Sequence, residues 1–196
     1  MNKAVFIDKD GTLIPDIPYN TDPSLIELEE NAIEGLRELK IQGFLLVIVS
    51  NQAGVAKGYF EEDALGAVEL KIKALLAEKG IRLDGFYYCP HHPEGNVKTY
   101  TVDCNCRKPK PGMIERAARE LNIDLSKSWM MGVILNDVEA GNRAGCKTVL
   151  IENGNETEWI KGEFRTPDFT VKSINEAAEQ ILKPIKTSLN HEYGIS

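Results

Sequence analysis

Two carboxylates one residue apart, Asp8 and Asp10, follow the apolar run Ala4-Val5-Phe6-Ile7, and Gly11-Thr12 closes the segment. Side chains two apart on an extended chain share a face, so both acids can converge on one reacting atom while Gly11 lets the chain leave sharply. One carboxylate then suits attack on phosphorus, which forms an acyl-phosphate intermediate. The other suits protonation of the departing alkoxide and deprotonation of the water that hydrolyses the intermediate. A plain Asp-Gly turn after a buried strand would use the same residues, so the assignment depends on what else the chain supplies. A calcium loop is excluded: an EF-hand wants glycine sixth and glutamate twelfth, whereas here glycine is fourth and no helix precedes it.

Three further segments carry chemistry. The run Phe44–Val49 ends in Ser50-Asn51-Gln52-Ala53-Gly54, which offers a hydroxyl, amides and free backbone N–H groups to a phosphoryl oxyanion, or simply caps the next segment. Arg107-Lys108-Pro109-Lys110-Pro111 sets three cations in a loop stiffened by two prolines. A lysine there can neutralise a transferring phosphoryl group, and an arginine fork can grip a second phosphate or a sugar oxygen. Just before it, Cys89-Pro90-His91-His92 and Cys104-Asn105-Cys106 bring together three thiols and an imidazole, the donor set of a closed tetrahedral zinc site. With Cys89, His91, Cys104 and Cys106 as ligands no position is left for water, so such an ion is structural. His92 is an alternative to His91, and unligated buried cysteines are the alternative to zinc. Cys146 stands alone and reads as core.

These segments need a frame. Apolar runs read as strands at Ala4–Asp8, Phe44–Ser50, Gly85–Tyr88, Trp129–Gly132, Thr148–Ile151 and, more weakly, Phe169–Val171. Helical spacing appears over Asn31–Gln42, Glu61–Lys79, Met113–Leu121, Asn136–Ala144 and Ser173–Leu182. Strict alternation predicts an α/β fold, a Rossmann-like doubly wound parallel sheet with helices on both faces and ligands beyond the strands' carboxyl ends. Residues 1–183 read as one domain with a stapled loop at 89–106, and 184–196 as a polar tail. With 196 residues, 42% hydrophobic, the chain can bury one substantial core, and its net charge of −7 argues against nucleic acid or an anionic membrane as partner. No signal peptide or membrane span is visible, so a cytoplasmic protein is expected. No long apolar stripe is left to spare, which points to a monomer.

The motifs in order and spacing, with Ser50-Asn51-Gln52-Ala53-Gly54-Val55-Ala56-Lys57-Gly58 and Cys89-Pro90-His91-His92-Pro93 among them, resemble the D-glycero-D-manno-heptose 1,7-bisphosphate 7-phosphatase family of the haloacid dehalogenase superfamily. The resemblance implies a domain without a large cap, a phosphorylated-sugar substrate, catalytic Mg2+ and structural Zn2+. It makes Asp8 the nucleophile, Asp10 the acid/base, and Ser50 and Lys108 the phosphoryl stabilisers. Asp16, Tyr19, Asn51, Gln52 and Arg107 would face the substrate. The related histidinol-phosphate phosphatases share the zinc loop, but the long loop and Ala-Gly-Val-Ala-Lys-Gly favour the heptose branch.

One departure stands out. Where that family carries Gly-Asp-x-x-x-Asp after the fourth strand, this chain has Gly132-Val133-Ile134-Leu135-Asn136-Asp137, so a magnesium ligand is replaced by valine. The magnesium set expected here is Asp8, Asp10 and Asp137. Three outcomes stay open: Asp137 or Asn136 reaches the ion, magnesium binds weakly, or the chain is a non-catalytic phosphosugar binder.

Overall fold

The computed structural model describes residues 1–154 and 160–193, the side chains of 185–193 excepted. Six parallel strands, β1 (Lys3–Ile7), β2 (Phe44–Asn51), β3 (Gly85–Cys89), β4 (Trp129–Gly132), β5 (Lys147–Ile151) and β6 (Phe169–Val171), form one sheet in the order β3-β2-β1-β4-β5-β6. The strands are near-continuously apolar because both faces are buried. On one face Val5, Ile7, Leu46, Ile48 and Met131 pack against Leu36 and Leu39 of α1 (Ile33–Ile41), Val68 and Ile72 of α3 (Ala64–Glu78), and Ala177 and Ile181 of α6 (Ile174–Tyr193). On the other, Ala4, Phe6, Val47, Val49 and Met130 meet Met113, Ile114 and Ala117 of α4 (Gly112–Glu120) and Ala140 of α5 (Leu135–Ala144). Odd and even positions of β1 thus serve opposite cores, as a two-residue period requires.

The chain winds outward from β1 in both directions, through β2 to β3 and through β4 to β6, so the carboxyl ends of β1, β2 and β4 open together at the switch point. In register, Ile7 lies beside Ile48 of β2 and Met131 of β4, which puts Asp8, Ser50 and Val133 on one rim. Among the described residues no separate cap domain covers that rim.

Two elements differ from the sequence expectation. A four-residue helix, α2 (Gly54–Lys57), follows β2, too short for any apolar period to register. The last helix does not stop at Leu182 to leave a polar tail; it runs to Tyr193 with Pro184 inside. Proline in a helix interior forfeits a backbone bond and crowds the carbonyl four residues back, at about 3 kcal/mol, and the buried face Ala177, Ala178, Ile181 and Leu182 anchors the helix upstream. The remaining expected tail residues, 194–196, lie outside the described residues.

Candidate active site and metal-binding loop

Asp8 directly follows β1 and Gly11, at φ +72°, turns the chain back, with Leu13 and Ile14 N–H groups returning to Lys9 O. The tight turn aims the acidic pair across the rim. Asp8 is 8% exposed and both its oxygens are engaged: Lys108 Nζ is 2.6 Å from Oδ1, and Thr12 Oγ1 donates to Oδ2 at 3.2 Å. Thr12 was not singled out from sequence, although it completes the opening motif.

Lys108 is the hub of the site. Its ammonium also lies 2.6 Å from Asp137 Oδ1 and donates to Val49 O at 2.9 Å. Burial alone would push the ammonium pKa down, but the carboxylates of Asp137 and Asp8 outweigh it and hold it above the ordinary lysine value. Asp137 sits fully buried in the first turn of α5, with Oδ2 accepting from Ile134 N–H at 3.3 Å. Burial drives its pKa up against the pull of Lys108. The sequence expectation made Asp137 a magnesium ligand; the structure seats it beneath Lys108, with the ammonium on one oxygen and the Ile134 N–H at the start of α5 on the other. It gets there only over Gly132, where a Cβ would stand 2.1 Å from Asp137 Oδ2.

Asp10 is gripped from two sides. Lys9 Nζ pairs with Oδ1, and Gln52 Nε2 donates to Oδ2 at 3.0 Å. Burial raises the Asp10 pKa, Lys9 opposes and Asp8 assists, with a net upward shift. Lys9, 2% exposed, is a second residue that sequence reasoning missed; a lone lysine between two acids gives no signal of being buried. Ser50 and Gln52 are buried as well, and Gln52 Nε2 also donates to Ser50 Oγ at 2.8 Å. Asn51 was expected at the substrate. Its amide is spent on the Lys108 backbone, donating to Lys108 O at 3.0 Å and accepting from Lys108 N–H at 2.9 Å.

Beside the acids opens a cavity of about 270 Å³ lined by Lys9, Asp10, Asp16, Tyr19, Gln52 and Arg107, among others. Tyr19 holds its place at φ +56°, an unusual angle for a tyrosine, with its hydroxyl 2.8 Å from Lys57 Nζ and its ring 4.5 Å from that of Tyr59. All five residues expected to face the substrate, Asp16, Tyr19, Asn51, Gln52 and Arg107, line this cavity, with the amides of Asn51 and Gln52 engaged inside the protein.

Cys89, His91, Cys104 and Cys106 present ligand atoms that all lie within 4.8 Å of one another. Cys106 Sγ is 3.0 Å from Cys89 Sγ, 3.1 Å from Cys104 Sγ and 3.3 Å from His91 Nδ1. His92 turns away, its Nδ1 accepting from Glu94 N–H. The Cys89–Cys106 hydrogen bond lowers the pKa of the Cys106 thiol and raises that of Cys89, so without a metal the two sulfurs share a proton that a metal would displace. Three soft sulfurs and one imidazole around a common centre fit zinc. The hard set fits magnesium differently: Asp8 and Asp10 share the rim, and oxygens of that turn together with a substrate phosphate and water are an ordinary magnesium environment. Val133, 4% exposed, packs in the apolar cluster with Ile151 and Ile174 and offers no ligand.

A family model described as Polynucleotide kinase 3 phosphatase matches residues 3–132, and one described as HAD-hyrolase-like matches residues 105–177. The D-glycero-beta-D-manno-heptose-1,7-bisphosphate 7-phosphatase of Pasteurella multocida is 47% identical over 155 residues, covering 79% of this chain and 84% of the relative. The Haemophilus influenzae protein of the same name is 43% identical, over 95% of this chain and all (100%) of the relative. The chain belongs to the heptose bisphosphate phosphatase family. This family of haloacid dehalogenase-like hydrolases also supplies a structural neighbour. The D,D-heptose 1,7-bisphosphate phosphatase of B. bronchiseptica, solved with magnesium and phosphate, superposes with a TM-score of 0.74 at 27% identity, covering 93% of this chain and 99% of that one. Among the described residues no helix is long and apolar enough to cross a membrane.

Proposed function

We propose that this chain is a magnesium-dependent phosphatase that removes the 7-phosphate of D-glycero-D-manno-heptose 1,7-bisphosphate through a phosphorylated Asp8. The observation that carries the reading is the convergence of Asp8, Asp10, Ser50 and Lys108 on one rim beside a polar cavity, in a chain closely similar to enzymes of that name. Lys108 and Thr12 fix the rotamer of Asp8, so its carboxylate meets phosphorus with little left to reorganise. As the new acyl-phosphate bond forms, the bond from phosphorus to the sugar oxygen breaks, and Asp10 delivers its proton to that oxygen. Its raised pKa suits it to hold that proton beforehand. Water next attacks phosphorus, Asp10 takes a proton back, and Asp8 is released with inorganic phosphate. Ser50 and the Lys108 ammonium stabilise the phosphoryl oxygens, and Asp16, Tyr19 and Arg107 hold the sugar end. Asp8 through its carboxylate and Asp10 through its backbone carbonyl would hold magnesium, which would supply positive charge against the transferring phosphoryl group and leave the Asp10 carboxyl to carry the proton. Phosphate release from the heptose bisphosphate and from histidinol phosphate, titrated with magnesium, tests the reading; a preference for histidinol phosphate would reassign the substrate.

Val133 favours a second reading, a phosphosugar binder without turnover, and measurable hydrolysis by the native protein excludes it. The position also yields a direct experiment. Val133→Asp buries a carboxylate in an apolar cluster, so the variant is expected to melt lower than the native protein in chelator and to gain more from added magnesium. Calorimetric titration should show magnesium bound at least about tenfold tighter, each tenfold being about 1.4 kcal/mol. An unchanged affinity would mean that another group already fills the place.

Zinc, in this reading, staples the loop that carries Arg107 and Lys108. Stripping it with a chelator and then restoring magnesium in excess should leave activity at least about tenfold down, with recovery on adding zinc, since structural zinc contributes folding energy outright. Metal analysis should give one zinc per chain in the native protein and none in Cys104→Ser. Full activity in zinc-free protein would remove the staple from the mechanism.

A further inference from the structure

Gln52 was expected to touch the substrate, yet its side chain is only 6% exposed and its amide nitrogen is spent inside the protein, on Ser50 Oγ at 2.8 Å and Asp10 Oδ2 at 3.0 Å. Whenever Asp10 is ionised, a reversed amide would place its oxygen against that carboxylate, acceptor against acceptor. The residue is pinned at both ends, since Gln52 N–H also donates at 2.8 Å to the O of Cys89, the last residue of β3.

A serine hydroxyl has one proton and accepts on its lone pairs. With Gln52 donating to it, Ser50 Oγ is already an acceptor, and its own proton meets no acceptor among the described residues. The proton is therefore left for whatever occupies the rim.

We propose that Gln52 is a positioning residue that makes Ser50 a committed hydrogen-bond donor to the transferring phosphoryl group and keeps Asp10 alongside it. The assignment rests on the phosphatase reading above. One amide thereby couples the residue that stabilises the oxyanion to the residue that moves the proton, and Gln52 itself touches neither substrate nor product.

The test compares Gln52→Leu, which deletes the donor, and Gln52→Glu, which keeps the shape but accepts where the amide donated and so draws the Ser50 proton away. With the heptose bisphosphate and saturating magnesium, kcat should fall about tenfold in Gln52→Leu and about 100-fold in Gln52→Glu, with KM within about twofold, since a misdirected oxyanion donor is lost to the transition state. In a Ser50→Ala background, Gln52→Leu should cost no more than about threefold, because the two residues act as a unit. Orthovanadate, a mimic of the five-coordinate phosphorus, should inhibit each variant more weakly in proportion to its kcat loss while inhibition by inorganic phosphate stays put. If Gln52→Glu fails to fold, Gln52→Leu and its coupling to Ser50 still decide the matter. A raised KM at unchanged kcat would make Gln52 a substrate contact, and an equal cost with or without the Ser50 hydroxyl would make it structural; either overturns the assignment. Absence of turnover in the native protein would instead refute the phosphatase reading, and this assignment with it.

Discussion

Asp8→Asn is expected to abolish phosphate release, with turnover down about 10⁴-fold or more, because an amide cannot serve as the nucleophile and nothing adjacent can replace it. The change is nearly isosteric, and Lys108 keeps Asp137 and Val49 O as partners, so the fold should survive. That separation is what gives the experiment its force. Purified native protein treated with fluoroberyllate should carry the adduct on Asp8, and the variant should carry none while retaining the native circular dichroism spectrum. A variant that still turns over within tenfold of the native rate would mean that water attacks the ester directly, and the covalent mechanism would fail.

The second large effect is expected at Lys108. Its side chain is 3% exposed and its ammonium faces two carboxylates, of Asp8 and Asp137. Lys108→Met fills similar space but leaves two acids confronting each other without a cation, which for a buried pair costs about 3–5 kcal/mol of stability. One acid can take up a proton instead, and Asp137, already raised in pKa by its burial, is the one that would. Turnover should fall about 10³-fold, since the ammonium is also lost from the phosphoryl oxygens. Denaturant unfolding and phosphate release of Lys108→Met and of Lys108→Met/Asp137→Leu separate the two roles: the double variant should regain much of the stability and none of the activity. Recovery of turnover in the double variant would show that the ammonium serves only the fold.

Much of this architecture is visible in the chain before any coordinates. The strands are legible because each apolar run ends abruptly in residues with chemistry, as Ile7 gives way to Asp8 and Val49 to Ser50. The cysteine cluster is legible from spacing, and in the fold His91 stands with the three sulfurs while His92 turns away. What escapes the sequence is where a polar side chain points. Asn51 and Gln52 carry the same groups whether they face a ligand or the protein, and in the fold they brace Lys108 and Ser50. Lys9 looks like a solvated charge until the turn at Gly11 folds it under Asp10. The apolar period of the last helix fades after Leu182, whereas the helix runs on through Pro184 to Tyr193.

Gly132 contributes no functional group, yet the narrowest tolerance on the rim belongs to it, with no room for even a methyl beside Asp137. Adding that methyl would evict the acid from under Lys108 and let the ammonium drift, so alanine at 132 should imitate a lesion in the machinery itself. Mutational surveys that score only acids, bases and metal donors would overlook it, and attempts to redesign the neighbouring valine must leave this empty volume untouched.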